Sequence, residues 1–278
     1  MLHTLDKLRR QGFEVTLLDV HEDGVVRVED VAAAIRDDTA LVSVMFANNE
    51  IGTLQPVQAI GALCRERGVP FHTDAVQAIG HVPVNVQEMN IDMLSCSAHK
   101  FHGPRGVGFL YARRGIPLTN IIEGGAQERG LRAGTENVPG IAGLGQAVRA
   151  FARLDDPASD MMELKMLLRD GILQAVPDAK VNGPTGGAPH ILNVTFPVKG
   201  EVLLHALEGA GILCSTGSAC ASHKKSASHV LTAMGVPDKE IDGALRFSLC
   251  PMNTPEEIDE TVAQIRKSVE MLRAFKRR

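Results

Sequence analysis

Tryptophan is missing from this 278-residue chain, and tyrosine occurs once, at Tyr111. Nucleobases held by stacking need aromatic platforms, so that mode of binding has little support. Neither sign of charge dominates. The formal net charge is −4, which leaves no broad basic field for direct contact with nucleic acid or an anionic membrane. No apolar run approaches the length of a membrane-spanning helix. The opening stretch MLHTLDKLRRQG has charges among its apolar residues and does not read as a signal peptide. The five cysteines, Cys64, Cys96, Cys214, Cys220 and Cys250, are odd in number and form no CxxC pair. A disulfide framework or a structural metal site is therefore not expected; reduced thiols in a cytoplasmic protein are.

What is present is an alternation of helices and strands. MLHTLDKLRRQ reads as a helix with Leu2, Leu5 and Leu8 on one face, and FEVTLLDV (13–20) as a strand. Helix 27–38 follows, then the unbroken apolar strand ALVSVMFANN (40–49), whose lack of alternation predicts a sheet covered on both faces. After helix 56–68 come strands at 70–77, 91–100 and 106–114, the last close enough to its predecessor to run antiparallel. The pattern predicts an α/β fold with a mostly parallel sheet. Composition shifts near residue 150. We divide the chain into a larger unit, 1–150, and a smaller α+β unit, 151–278. The smaller unit holds a long helix over 155–176, strands at 190–196 and 244–249, and a helix at 200–211. The last helix has its start written out: Thr254 as cap, Pro255 at the first position, and Glu257 closing a capping box. Ile258, Val262, Ile265, Val269 and Leu272 form its apolar stripe.

Three successive strands end in polar groups: Asn48-Asn49-Glu50, then His72-Thr73-Asp74 with Gln77, then Ser97-Ala98-His99-Lys100. Each alone is explained by turns and caps. Three at one sheet edge point to a site, because ligands of open α/β sheets bind beyond the carboxyl ends of the strands. A carboxylate, amides, hydroxyls and a lysine suit pyridoxal 5′-phosphate. Its aldehyde takes a lysine amine, its ring nitrogen needs an acid, and its phenolic oxygen and phosphate need donors. A desolvated Lys100 would be nucleophilic.

FHTDAVQAIG followed by SCSAHKFHGPRGVGFLY resembles the class V aminotransferases, and more narrowly the cysteine desulfurases of the NifS/IscS type. VMFANNEIGTLQP, GGAQERGLRAGTENV, STGSACAS and LRFSL occur in the family's order, over essentially the whole chain. The resemblance implies the aspartate aminotransferase-like fold of pyridoxal phosphate-dependent transferases. In it Lys100 is the Schiff-base lysine and Asp74 the acid at the ring nitrogen. Gln77 lies by the phenolic oxygen, Asn49 lines the cofactor and substrate pocket, and Ser97 and His99 serve the phosphate. Thr135 is implied to reach the phosphate of a partner subunit in a homodimer. Arg246 is implied to hold the substrate carboxylate, and Cys220 to accept sulfur from L-cysteine as a persulfide, leaving L-alanine. The implied onward partner is an iron–sulfur scaffold or a sulfur carrier, including one that serves tRNA thiolation. Cys220 lies among small and polar residues, as in a loop; the other four cysteines read as inert thiols.

The resemblance also implies roughly a hundred family residues ahead of Met1, carrying a phosphate-cradling turn and a ring-stacking histidine. Without them an apolar face would be exposed and solubility poor. The alternatives are an impaired relative acting as a binding partner in sulfur transfer, a selenocysteine lyase or a class V transaminase.

Overall fold

A computed structural model describes residues 2–216 and 228–276. The chain opens with α1 (Leu2–Arg10) and α2 (Val28–Ala34), followed by β1 (Val42–Met45), α3 (Val57–Arg67), β2 (Phe71–Asp74), β3 (Met93–Ser97) and β4 (Gly108–Ala112). α4 (Val138–Phe151) and α5 (Pro157–Ala175) lead into β5 (Lys180–Asn182), β6 (Ile191–Thr195), α6 (Gly200–Gly209) and β7 (Ser215–Thr216). The described chain resumes with α7 (His229–Ala233), α8 (Asp238–Ile241), β8 (Ala244–Ser248) and α9 (Pro255–Lys276).

Two four-stranded sheets result, ordered β1-β2-β3-β4 and β5-β6-β8-β7. In the first, β1, β2 and β3 are parallel and β4 is antiparallel to β3, as its short connection requires. Met45 pairs with Asp74 and Asp74 with Ser95, so the polar ends of the parallel strands share one edge. Buried Asp92 ties β2 to β4, accepting from the Phe71 amide at 3.0 Å and from the Arg113 guanidinium. The second sheet is antiparallel throughout. Its core is built by Leu168 and Ile172 of α5, Leu192 and Val194 of β6, and Ile258 and Ile265 of α9. The capping box forms as read. The Glu257 amide donates to Thr254 Oγ1 at 3.3 Å and the Thr254 amide to Glu257 Oε2 at 3.2 Å.

Two expectations fail. Residues 13–20 form no strand, because no neighbouring strand among the described residues supplies a ladder, and Phe13 and Leu17 are exposed. α1 forms as read, with none of its residues buried. β1 is only half-covered despite its apolar sequence, since it lies at the edge of its sheet and Leu41 beside it is exposed. Composition alone does not distinguish an edge from a centre. Exposed Leu110 on β4 lies at the opposite edge.

α3 approaches the loop after β2 so closely that a Cβ on Gly61 would lie 2.1 Å from the Met89 carbonyl oxygen. Gly61→Ala is expected to destabilise the protein by about 1–3 kcal/mol through overpacking against backbone. A urea unfolding midpoint unchanged from that of the parent would contradict this reading.

Candidate active site

Lys100 sits on a 3₁₀ turn, Ala98–Phe101, that directly continues β3. Ala98 and Phe101 are buried and fasten the turn from beneath, while Phe101 also meets Phe151 of α4 edge-on at 6.3 Å. His102 then takes a left-handed conformation (φ 64°), and the Gly103 amide closes onto the Ala98 carbonyl at 2.9 Å. Lys100 is thereby held outward: it is exposed, not desolvated as expected, because its two apolar neighbours take the inward positions. His99 is exposed beside it, with Nδ1 2.7 Å from the half-buried Ser97 hydroxyl.

Asp74 ends β2, half-buried, and its Oδ1 accepts from the Val76 amide at 3.0 Å. His72 is bracketed by Ser43 Oγ at 2.8 Å and Ser95 Oγ at 3.3 Å, and burial lowers its proton affinity, with Asp74 opposing. After β1, the Asn48 side chain accepts from the amides of Glu50 and Ile51 at 2.8 and 3.1 Å. That turn presents Asn49, whose carbonyl accepts from Arg246 Nη1 on β8 at 2.8 Å. Two residues 197 positions apart are joined by this bond.

Gln77 is buried on the turn after β2, with Oε1 3.2 Å from Nε2 of His190. His190 stacks on His81 with ring centroids 3.6 Å apart. Burial is the main cause that lowers His81 to about 4, with His102 and Lys100 adding, and His190 to about 2, with His81, Lys165, Arg246 and Lys100 adding. Both rings are neutral at physiological pH. Lys165 is itself buried, donates to the Ala188 carbonyl at 3.0 Å, and is pushed down to about 8 by desolvation. Lys100, Lys165 and Arg246 each lie near enough to His190 to lower its proton affinity.

Of the residues named from sequence, the fold brings Asn49, Asp74, Gln77, Ser97, His99 and Lys100 to the ends of β1–β3, and Arg246 to Asn49 from the second sheet. Thr135 is exposed on the loop before α4 and makes no hydrogen bond to the others among the described residues. Cys220 lies outside the described residues. The chain resumes at Ser228, whose hydroxyl donates to buried Glu50 next to Asn49. Cys64, Cys96 and Cys214 are free thiols that burial pushes up to about 11, and Cys250 is a further free thiol. No cluster of metal-binding side chains occurs among the described residues. A groove of about 660 Å³ behind the lysine turn, lined by Phe101, Pro104, Phe151 and Met252 among others, contains none of the predicted site residues. Sequence reading overlooked His81 and His190. Their only signal, an imidazole two residues before Pro83 and another directly after Pro189, carries no spatial information.

The sequence pattern of the aminotransferase class-V family matches residues 2–261. The chain belongs to that family. It is 49% identical over 278 residues to the cysteine desulfurase IscS of Clostridium botulinum strain Hall, covering 98% of this chain and 70% of that protein. It is 50% identical over 276 residues to IscS of Methanosarcina thermophila, covering 98% of this chain and 68% of that one. Among solved structures, a NifS-like protein superposes with a TM-score of 0.90 at 40% identity, over 98% of this chain and 72% of that chain. DndA from Streptomyces lividans superposes with a TM-score of 0.75 at 37% identity, over 90% and 71% of the two chains. The fold is that of these class V enzymes.

Proposed function

We propose that the chain is a pyridoxal phosphate-dependent cysteine desulfurase, converting L-cysteine to L-alanine with a persulfide on Cys220. One observation carries the reading. A carboxylate (Asp74), an amide (Gln77) and a lysine amine (Lys100) stand together at the carboxyl ends of adjacent parallel strands, in a family whose relatives are cysteine desulfurases. This donor set fits the cofactor's acid, amide and amine requirements. Pyridoxal phosphate, when bound, supplies an aldehyde that binds amines and a ring that takes up the electron pair released at the substrate α-carbon.

The chain's own groups do the rest. Asp74 holds a proton partner at the ring nitrogen. Ser97 and His99 bind phosphate, joined by Thr135 from the second subunit of a homodimer. Arg246 and Asn49 orient the substrate carboxylate; a guanidinium already anchored to the Asn49 carbonyl is pre-oriented for that task. The Lys100 amine would hold the cofactor and, when free, take the substrate α-proton. The Cys220 thiolate would then attack the substrate sulfur: an S–S bond forms and the Cβ–S bond breaks with its electron pair left on the substrate fragment, which takes a proton at Cβ and regains the α-proton from Lys100 to complete alanine. Residues 1–150 would form the cofactor-binding unit and 151–278 the unit that carries Cys220.

A sulfur-carrier or iron–sulfur scaffold protein is the onward acceptor in this reading, and the cytoplasm its location. The free thiols support the latter, and no helix among the described residues is long and apolar enough to cross a membrane.

The test is to mix the chain with pyridoxal phosphate and L-cysteine, then measure alanine and the mass of the Cys220 peptide. Alanine should accumulate and the peptide gain one sulfur; Cys220→Ser should lose the sulfur adduct. Alanine produced equally well by Cys220→Ser would instead favour a lyase with no thiol acceptor.

A further inference from the structure

His190 stands at the entrance to β6, in the second sheet, yet its ring reaches Gln77 at the edge of the first. The contact is dry: His190 is 5% exposed and Gln77 9%. Among the described residues His190 Nδ1 has no hydrogen-bond partner, and the His81 ring lies stacked on it. A neutral imidazole carries one N–H, and an amide has a donor end and an acceptor end. Only two arrangements are therefore possible. Either Nε2–H of His190 donates to the Gln77 oxygen, or the Gln77 NH₂ donates to a bare Nε2 and the imidazole proton is left on Nδ1. The second strands an N–H in the interior, where an orphaned donor is rarer and costlier than an under-used acceptor. The first arrangement is the one the geometry favours, and it has a consequence at the other end of the side chain. With its oxygen engaged, Gln77 has its NH₂ available to an acceptor at the strand edge.

We propose that His190 is a positioning residue that fixes the flip of the Gln77 amide, so that Gln77 offers a donor, not an acceptor, to the phenolic oxygen of the cofactor. This rests on the reading of Gln77 given above. His81 contributes by stacking: it sets the plane of the His190 ring and keeps water from the Nε2 bond. The smaller unit thus tunes a set of cofactor contacts that otherwise come from the larger one. A donor at the phenolic oxygen favours its anionic form, so its loss should raise the pH at which the near-visible absorbance of the cofactor-loaded protein titrates.

Two measurements test this. Long-range ¹H–¹⁵N NMR of the ring nitrogens needs no cofactor; it should show His190 protonated at Nε2, and protonation at Nδ1 overturns the proposal. In the loaded protein, His190→Phe keeps a stacking ring but removes the donor, and should raise the absorbance midpoint by about one pH unit. His190→Gln, whose amide nitrogen can stand in for Nε2–H, should restore it. Gln77→Leu should shift the midpoint at least as far as His190→Phe. A shift in Gln77→Leu with none in His190→Phe overturns the positioning role. An unmoved midpoint in Gln77→Leu overturns the cofactor contact of Gln77, and with it the purpose assigned to His190, whatever tautomer is found.

Discussion

Lys100→Ala is expected to abolish borohydride-stable attachment of pyridoxal phosphate and to lower alanine formation from L-cysteine by at least about a thousandfold. The magnitude follows from the two tasks that Lys100 holds, covalent anchor and α-proton base. The base alone is worth about 10²–10⁴ in rate, and no neighbouring group is placed to replace both. His99 is adjacent but engaged with Ser97. The fold should not notice the change. Lys100 is exposed, and its turn is fastened by Ala98, Phe101 and the Gly103–Ala98 bond rather than by the lysine. Stability should stay within about 0.5 kcal/mol of the parent. Borohydride reduction followed by peptide mass mapping separates the possibilities: a label on another lysine, or undiminished turnover, would remove Lys100 from its role. Loss of turnover with a lowered unfolding midpoint would indicate damage to the turn instead.

Acid should unfold the protein over an unusual window. His81 and His190 titrate near 6.5 in an unfolded chain but are held at about 4 and about 2 when folded, chiefly by burial. Their depressed values cost nothing above pH 6.5, where both are neutral in either state. Below it the unfolded chain binds protons that the folded one refuses. Stability then falls by about 1.4 kcal/mol per pH unit for each ring. Between pH 6.5 and 5 the pair would remove about 3 kcal/mol, against a typical total of about 5–15 kcal/mol. His72, also lowered by burial, acts in the same direction. Carboxylates contribute mostly below pH 5, so this interval isolates the imidazoles. Urea unfolding at pH 7.5, 6.5, 5.8 and 5 should show a plateau and then a fall, and replacing both rings with phenylalanine should flatten it. A level profile in the parent would mean that the rings are not buried neutral.

The legible features were local ones. The capping box at Thr254–Glu257 was readable because its donors and acceptors lie three residues apart. The antiparallel turn of β4 was readable because the gap before it is too short for a crossover. Asn49, Asp74, Ser97 and Lys100 could be named because parallel strands place their carboxyl ends together whatever their order. By contrast, ALVSVMF reads as a fully covered strand and 13–20 as a strand of the same kind. The first is half-exposed and the second forms no ladder, since strand pairing depends on a neighbour that the segment itself does not encode.

The sequence by itself determined the chemistry available, namely a lysine, an acid and an amide at successive strand ends and a cysteine among small residues, because each is a matter of residue type and short spacing. Tertiary structure alone decided which groups hold these in place. Arg246 reaches the Asn49 carbonyl across 197 positions and His190 reaches Gln77 across 113. Both contacts come from the second sheet meeting the edge of the first. Hydrogen bonds at such separations leave no periodic trace in the chain, because they are set by how two independently patterned sheets pack and not by the pattern of either.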